Sequence, residues 1–353
     1  MTPRGCRAPV PRTLDEWRGS APDDERPPSS SRGRRAPRAS AAALLALLAP
    51  PVPAQGTCPE GQRPFSHHAG EACIPERPQR IVALRHDSIT TPLLELGAPV
   101  VGTGAYTDGS GETYIPGATD ILGVRIGDEG APASVGLANA PDLEAVAALG
   151  PDLILAPDWQ ADLHDRLSAI APTVIVPPQD DALAIIGLVA DAAGVEEAFD
   201  ARAARYRERV EQVRSLLGDP SRITVGRFGV DAGGPYFYPD WGAFEQAIRD
   251  VGFASPPLYA DLGEGGTISW ERLPEFDADL LFTGYSTRLA EETVAASVAR
   301  MDEQAAFWRG LPAVVRGDHF WYPYDLWVTP SFSALHAALD GLLLGVQGRV
   351  VAD

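Results

Sequence analysis

Residues 195–218 read VEEAFDARAARYRERVEQVRSLLG, and this stretch decides the architecture. Val195, Phe199, Ala203, Tyr206, Val210, Val213 and Leu217 recur at intervals of three and four, which lines them up on one side of an α-helix. The opposite side carries Glu196, Glu197, Arg202, Arg205, Arg207, Glu208, Arg209, Glu211 and Arg214, with Arg207 and Glu211 four apart. Gly194 precedes the pattern, and Gly218-Asp219-Pro220 stops it. At ~1.5 Å per residue such a helix is about 33 Å long, the width of a small domain.

The sequences on its two sides resemble each other. Arg80-Ile-Val-Ala-Leu-Arg85 precedes the helix and Arg222-Ile-Thr-Val-Gly-Arg227 follows it, each a β-branched run between arginines at the same spacing. On the first side Asp142-Leu143-Glu144 is followed by Pro151-Asp152-Leu153-Ile154-Leu155; on the second, Ser269-Trp270-Glu271 by Ala278-Asp279-Leu280-Leu281-Phe282. Each block reads as a helix with an acidic first turn, then an Asp and a buried strand. The expected fold class is therefore α/β, with two lobes of mostly parallel sheet flanked by helices and connected by a single long α-helix. The boundaries are 79–181 for the first lobe, 182–218 for the linking helical segment and 219–353 for the second lobe.

Within the first lobe, strands are expected at 81–84, 100–102, 153–156 and 174–176, and helices at 91–96, 141–149 and 163–170. Tyr106 to Ala133, rich in Gly and Asp, reads as a loop. In the second lobe the pattern places strands at 223–228, 280–283 and 319–324, and helices at 243–251, around Glu271, at 291–301 and at 332–345.

At 353 residues the chain has room for two such lobes, each with its own core. Residues 1–54 stand apart as a leader. The first forty are rich in Pro, Ser and Arg with no apolar period, and the arginines up to Arg38 precede the apolar run Ala41–Ala49. Val52 and Ala54 then supply small residues two apart, so the run reads as a secretory signal cut after Ala54, too short to span a bilayer. Losing its nine arginines and five acidic residues moves the formal charge from −19 to −23. A chain this acidic is not suited to nucleic acid or an anionic membrane surface.

Residues 55–78 form an N-terminal extension. It holds Cys58 and Cys73, the only cysteines after the leader, and a disulfide is the expected pairing in an oxidising compartment. The rival, a lipidated Cys58, calls for a Leu-small-small-Cys run where the chain has Gln55-Gly56-Thr57.

In open parallel sheets ligands bind beyond the carboxyl ends of the strands. In the first lobe those positions hold Arg85, His86, Tyr106 and Trp159. In the second they hold Arg227, Tyr236, Tyr238, Trp241, Tyr285, Arg288 and Trp327. Arginine forks and aromatic walls suit a bulky, oxygen-rich, anionic or partly aromatic ligand. For any one of these aromatics simple packing is the competing role; for Arg85 and Arg227 it is a salt bridge. The chain has no Gly-x-Ser-x-Gly, no phosphate-cradling glycine loop and no His-Glu-x-x-His, so no enzyme is expected and no direct metal site or cofactor. His67-His68, in the extension, reads as solvated.

Pro78-Gln-Arg-Ile-Val-Ala-Leu84 followed by Leu93-Leu-Glu-Leu-Gly-Ala-Pro-Val-Val-Gly102 resembles the opening of the extracytoplasmic solute-binding proteins of ferric-siderophore, haem and cobalamin ABC importers. The Asp142–Glu144 and Ser269–Glu271 blocks, with Trp308-x-x-Leu311-x-Ala313-Val314 and Gly317, are similar to later motifs of that family. The likeness covers about residues 65 to 347. It implies a type III periplasmic-binding-protein-like fold, secretion to the periplasm or cell envelope, and a monomer that holds a ferric-siderophore complex in a cleft between its lobes. It also implies an ABC permease and its ATPase as partners, with Glu144 and Glu271 as the permease-docking carboxylates. Haem or cobalamin as ligand, and a secreted protein that reuses the fold without a transporter, are the alternatives. Arg85-His86-Asp87-Ser88 departs from the small, uncharged residues common in the family after the first strand.

Overall fold

A computed structural model describes residues 58–353 apart from 109–110, 178–180, 232, 239–241, 264, 286–292 and 347–353. The leader at 1–54, Trp241 and Arg288 therefore lie outside the described residues. Fourteen strands are described: β1 (Gln62–His67), β2 (Gly70–Pro75), β3 (Ile81–Ala83), β4 (Val100–Thr107), β5 (Thr113–Tyr114), β6 (Ala133–Leu137), β7 (Ala140–Pro141), β8 (Leu153–Pro157), β9 (Thr173–Val176), β10 (Val225–Asp231), β11 (Gly234–Phe237), β12 (Gly266–Thr267), β13 (Leu280–Tyr285) and β14 (His319–Pro323). The principal helices are α1 (Thr91–Glu95), α2 (Leu143–Ala148), α3 (His164–Ser168), α4 (Ala182–Ala193), α5 (Glu196–Leu217), α6 (Gly242–Val251), α7 (Val294–Ala305) and α8 (Phe332–Gly345).

The strands form two larger sheets and one hairpin. The first sheet runs β7-β6-β4-β3-β8-β9 with β5 on β4, and the second runs β12-β11-β10-β13-β14. In the first, β6, β4, β3, β8 and β9 are parallel. In the second, β10, β13 and β14 are parallel, β11 pairs antiparallel with β10, and β12 pairs antiparallel with β11. Ile81, Val82 and Ala83 are all buried, as are Leu153 to Pro157. Strands covered on both faces read as unbroken apolar runs, which is why they were visible in the sequence.

Helix α5 buries Phe199, Ala203, Tyr206, Val210, Val213 and Leu217, the stripe read from the sequence. The segment 182–218 is not one helix, however. Helix α4 ends at Gly194, whose φ of 68° is left-handed, and α5 starts anew at Glu196. A Cβ on Gly194 would sit 2.8 Å from the carbonyl oxygen of Glu76, so strain and crowding both demand glycine there.

The N-terminal extension is more ordered than its polar composition implied. Strands β1 and β2 pair as an antiparallel hairpin, with Phe65 and Ile74 buried in the main core. His67 is not solvated: its Nδ1 accepts from the Ile175 N–H at 3.3 Å, and its ring lies 5.5 Å from that of His164. Burial, with His164 and His68 nearby, pushes its imidazole below its ordinary value. Cys58 and Cys73 are both disulfide-bonded. Among the described residues, one hydrophobic cluster takes Ile81, Leu155, Val225 and Phe282 from strands of both sheets and Tyr206 and Leu339 from the helices packed on them.

Candidate functional site

The first sheet contributes the turn after β3. Leu84 donates its N–H to Leu155 O at 2.9 Å, which is the last hold of the sheet on this strand. The chain then makes a wide helical turn: Thr90 N–H reaches back to Arg85 O at 2.9 Å, and Thr91 Oγ1 donates to His86 O at 2.8 Å. With its backbone groups satisfied, the turn holds Arg85, His86 and Asp87 at the carboxyl end of the strand. Arg85 Nε donates to Asp87 Oδ1 at 2.7 Å, and a second N–H of Arg85 donates to Oδ2 at 3.3 Å. Burial opposes charge on Asp87, yet His86, the Arg85 guanidinium and the Ser88 N–H hold its carboxyl well below the usual carboxylate range. Burial pushes the His86 imidazole down, with its ring edge-on to Tyr106 at 4.7 Å. Tyr106, near the carboxyl end of β4, and Trp159, two residues beyond β8, are about half exposed, at 42% and 47%.

The second sheet contributes the segment after β14. Residues Tyr324–Trp327 form a helical turn, and Val328 N–H closes it on Tyr324 O at 2.9 Å. His86, Asp87 and Pro116 from the first half meet Tyr324, Asp325, Val328 and Thr329 from the second around a cavity of about 140 Å³. That is below the roughly 300–1,000 Å³ of pockets that swallow a drug-sized ligand, so by itself it does not enclose such a molecule.

Arg227 corrects an expectation. It lies at the third position of β10, which continues to Asp231, so it does not end the strand as Arg85 nearly does. It is 2% exposed; its Nε donates to Glu245 at 3.0 Å, and its other nitrogens to Tyr238 O at 2.9 Å and Tyr322 Oη at 3.4 Å. Its guanidinium lies over the Phe237 ring, 5.2 Å from the centroid. The physical reason is the return strand: β11 folds back on β10 and lays the Tyr238 carbonyl beside residue 227, inside the lobe.

The other expected residues are scattered more widely. Tyr238 is 45% exposed, and its ring is 6.1 Å from that of Tyr236, which in turn covers Gly229 so closely that a Cβ there would clash. Tyr285 closes β13 and is half-buried. Trp327 is spent on packing: it stacks on Tyr322 at 5.4 Å, and its indole occupies the space over Gly341 of α8. Asp87, Tyr324 and Asp325 were missed. The rule that ligands gather beyond parallel strand ends applies to β14 as it does to β3, and would have found the last two.

Glu144 and Glu271 are both exposed, in the first turns of α2 and of the tight helical segment Trp270–Phe276. Asp142 caps α2 by accepting from the N–H of Glu144 at 2.9 Å. The Glu271 carboxyl is drawn below its ordinary value by its own backbone N–H and the Ser269 hydroxyl, so it is ionised at neutral pH.

Among curated proteins, the chain is 30% identical over 288 residues to the probable siderophore-binding lipoprotein YfiY of Bacillus subtilis, spanning 76% of this chain and 82% of that one. It is 29% identical over 238 residues to the iron(3+)-hydroxamate-binding protein FhuD of the same organism, spanning 64% and 70%. The solved structure of Staphylococcus aureus SirA complexed with staphyloferrin B superposes with a TM-score of 0.68 at 21% identity, covering 81% of this chain and 98% of that one. At that identity the superposition speaks for the fold, and the fold is the one built above: two sheets joined through α5, with residues beyond β3 and β14 facing one cavity. Residues 81–323, more than half of the chain, match the family described as periplasmic binding proteins, and the chain belongs to that family.

Proposed function

We propose that the chain is a solute-binding component of an ABC importer: it captures an iron(III)–siderophore complex in the cleft between its two sheets and delivers it to a membrane permease driven by an ATPase. The observation that carries this reading is the cavity lined by segments that follow strands of both sheets, with Tyr106 at the end of β4 and Trp159 just after β8 about half exposed. Rigid aromatic faces and a shared cavity suit a bulky complex gripped from two sides. The relatives named for siderophore and ferric-hydroxamate binding support the same ligand class. Capture, not catalysis, is the role, and exposed Glu144 and Glu271 are the carboxylates offered to the permease.

Intrinsic fluorescence tests it, because Trp159 is about half exposed just after the carboxyl end of β8. Titration with ferric-siderophore complexes should quench saturably at one ligand per chain, with haemin and cyanocobalamin giving no saturable change. Saturation by haemin or cyanocobalamin alone would replace the ligand class. Saturation by none of the three would remove the solute-binding reading.

A further inference from the structure

Strand β9 closes one end of the first sheet, and among the described residues no strand pairs with its outer side. All of its residues, Thr173 to Val176, are buried. An open edge of this kind is a template for pairing with another chain unless something covers it. Here the tip of the β1–β2 hairpin does so, through both backbone groups of Ile175. The Ile175 carbonyl accepts from His68 N–H at 3.1 Å, and the Ile175 N–H donates to His67 Nδ1 at 3.3 Å. An imidazole nitrogen thus stands where a neighbouring strand would offer a carbonyl. Ala69 N–H donates to the same Nδ1 at 3.3 Å, which wraps the hairpin turn around the ring.

Two donors on Nδ1 fix the tautomer. That nitrogen keeps its lone pair, so the proton of the neutral ring sits on Nε2, which is buried with no hydrogen-bond partner among the described residues. A second proton would turn Nδ1 from an acceptor into a donor aimed at two N–H groups, with no acceptor for either ring nitrogen. The neighbours offer no compensation. Strand β9 brings only threonine and aliphatic side chains, and Glu71, on β2 opposite Ser66, is exposed. From α3 comes His164, with Asp165 beside it at 3.5 Å but fully exposed. His164 and His68 are the charged groups that act on His67, and both oppose its protonation, as burial does.

We propose that His67 is an acid-sensitive latch: at neutral pH it holds the hairpin tip on the open edge of β9, and in mildly acidic surroundings its protonation frees the tip and uncovers that edge. The base of the hairpin stays in place, because Phe65 and Ile74 are buried in the main core and Arg63 donates to the Asp191 carboxylate of α4 at 2.8 Å. The opening is therefore local. Its direction follows from proton linkage. The freed imidazole takes up a proton near its ordinary value of about 6.5, and the docked one only at lower pH. The latch is at full strength above that ordinary value and weakens as the pH falls below it. None of this depends on what the cleft binds.

Residue-resolved hydrogen exchange on the purified chain, disulfide intact, tests it at about pH 7.5 and about pH 5, with rates corrected for the intrinsic pH dependence of exchange. Protection of the Ile175 and His68 amides should fall by at least about threefold at the lower pH, while amides of β3 and β8 keep theirs. His67→Asn keeps an acceptor near the Nδ1 position and cannot titrate, so its protection should be the same at both pH values. His67→Ala lacks the acceptor and should be poorly protected at both. Nitrogen NMR of the parent at neutral pH should show a bare Nδ1 and a protonated Nε2. Protection in the parent that does not change with pH overturns the latch, and so does an equal fall in His67→Asn or a ring that carries its proton on Nδ1.

Discussion

Arg85 and Arg227 occupy matching places in two similar stretches of sequence and end in different environments. Arg85 lies two residues past the last paired residue of β3 and keeps a largely buried ion pair with Asp87. Arg227 lies within β10 and is sealed in with Glu245, Tyr322 and the Tyr238 carbonyl. A buried pair is costly to break by halves, because the survivor is left charged without a partner. Glu245→Gln should therefore destabilise the ligand-free protein by ~3–5 kcal/mol, read as a lowered denaturant midpoint. The double change Arg227→Met with Glu245→Leu should recover most of that loss and leave ligand affinity within about twofold. A double variant that is stable but has lost the ligand would return Arg227 to the binding site.

At the scale of elements, the joint between α1, α5 and α8 is the most consequential. Glu95, the last residue of α1, is 8% exposed and accepts from Phe332 N–H at 2.7 Å and Ser333 N–H at 2.8 Å, with the Ser333 hydroxyl on the same carboxylate. Those N–H groups open α8 and have no partner within the helix, so a carboxylate there satisfies donors and meets the positive end of the helix dipole. Arg202 of α5 donates to the Glu95 carbonyl at 2.9 Å, bringing the third helix to the same point. Ser331 Oγ accepts from Ala334 N–H at 3.1 Å and caps the same helix end. Glu95→Ala strands two partly or fully buried donors and should cost ~1–3 kcal/mol. Hydrogen exchange should show the loss as faster exchange confined first to the opening turn of α8. Unchanged exchange there would mean that solvent replaces the carboxylate without penalty.

For the molecule as a whole, the shared core is decisive. One hydrophobic cluster runs from β3, β8 and β9 through α4 and α5 into α6, β10, β13 and α8, so the two sheets are packed onto common helices. The Tyr206 hydroxyl, donating to Asp250 at 2.9 Å, ties α5 to α6 within it. The docking proposed above for Glu144 and Glu271 needs the two carboxylates held at a set separation, and packing of both sheets onto common helices is the feature that would hold them so. Glu144→Arg combined with Glu271→Arg should abolish uptake of the iron complex in cells, while affinity in solution changes by less than about twofold. Both residues are exposed, so stability should be unaffected. Lost affinity in solution would assign the glutamates to the cleft or to folding.

The sequence by itself determined what depends on local periodicity. The stripe of α5, the buried runs of β3, β8 and β13, the acidic first turns at Glu144 and Glu271 and the α/β class were legible, because each is written within one element's length. What only the tertiary structure decided depends on partners far apart in the chain. Glu95 meets Ser333 across 238 positions, and no spacing rule links them. Arg227 is buried and paired because β11 doubles back on β10 and Glu245 comes in from α6. Asp87 and Asp325 came to line one cavity because β3 and β14 end on the same side of a shared core. Burial and ion pairing are set jointly by every neighbour at a point in space, so whether an arginine binds a ligand or holds the fold is settled by packing and not by its place in a motif.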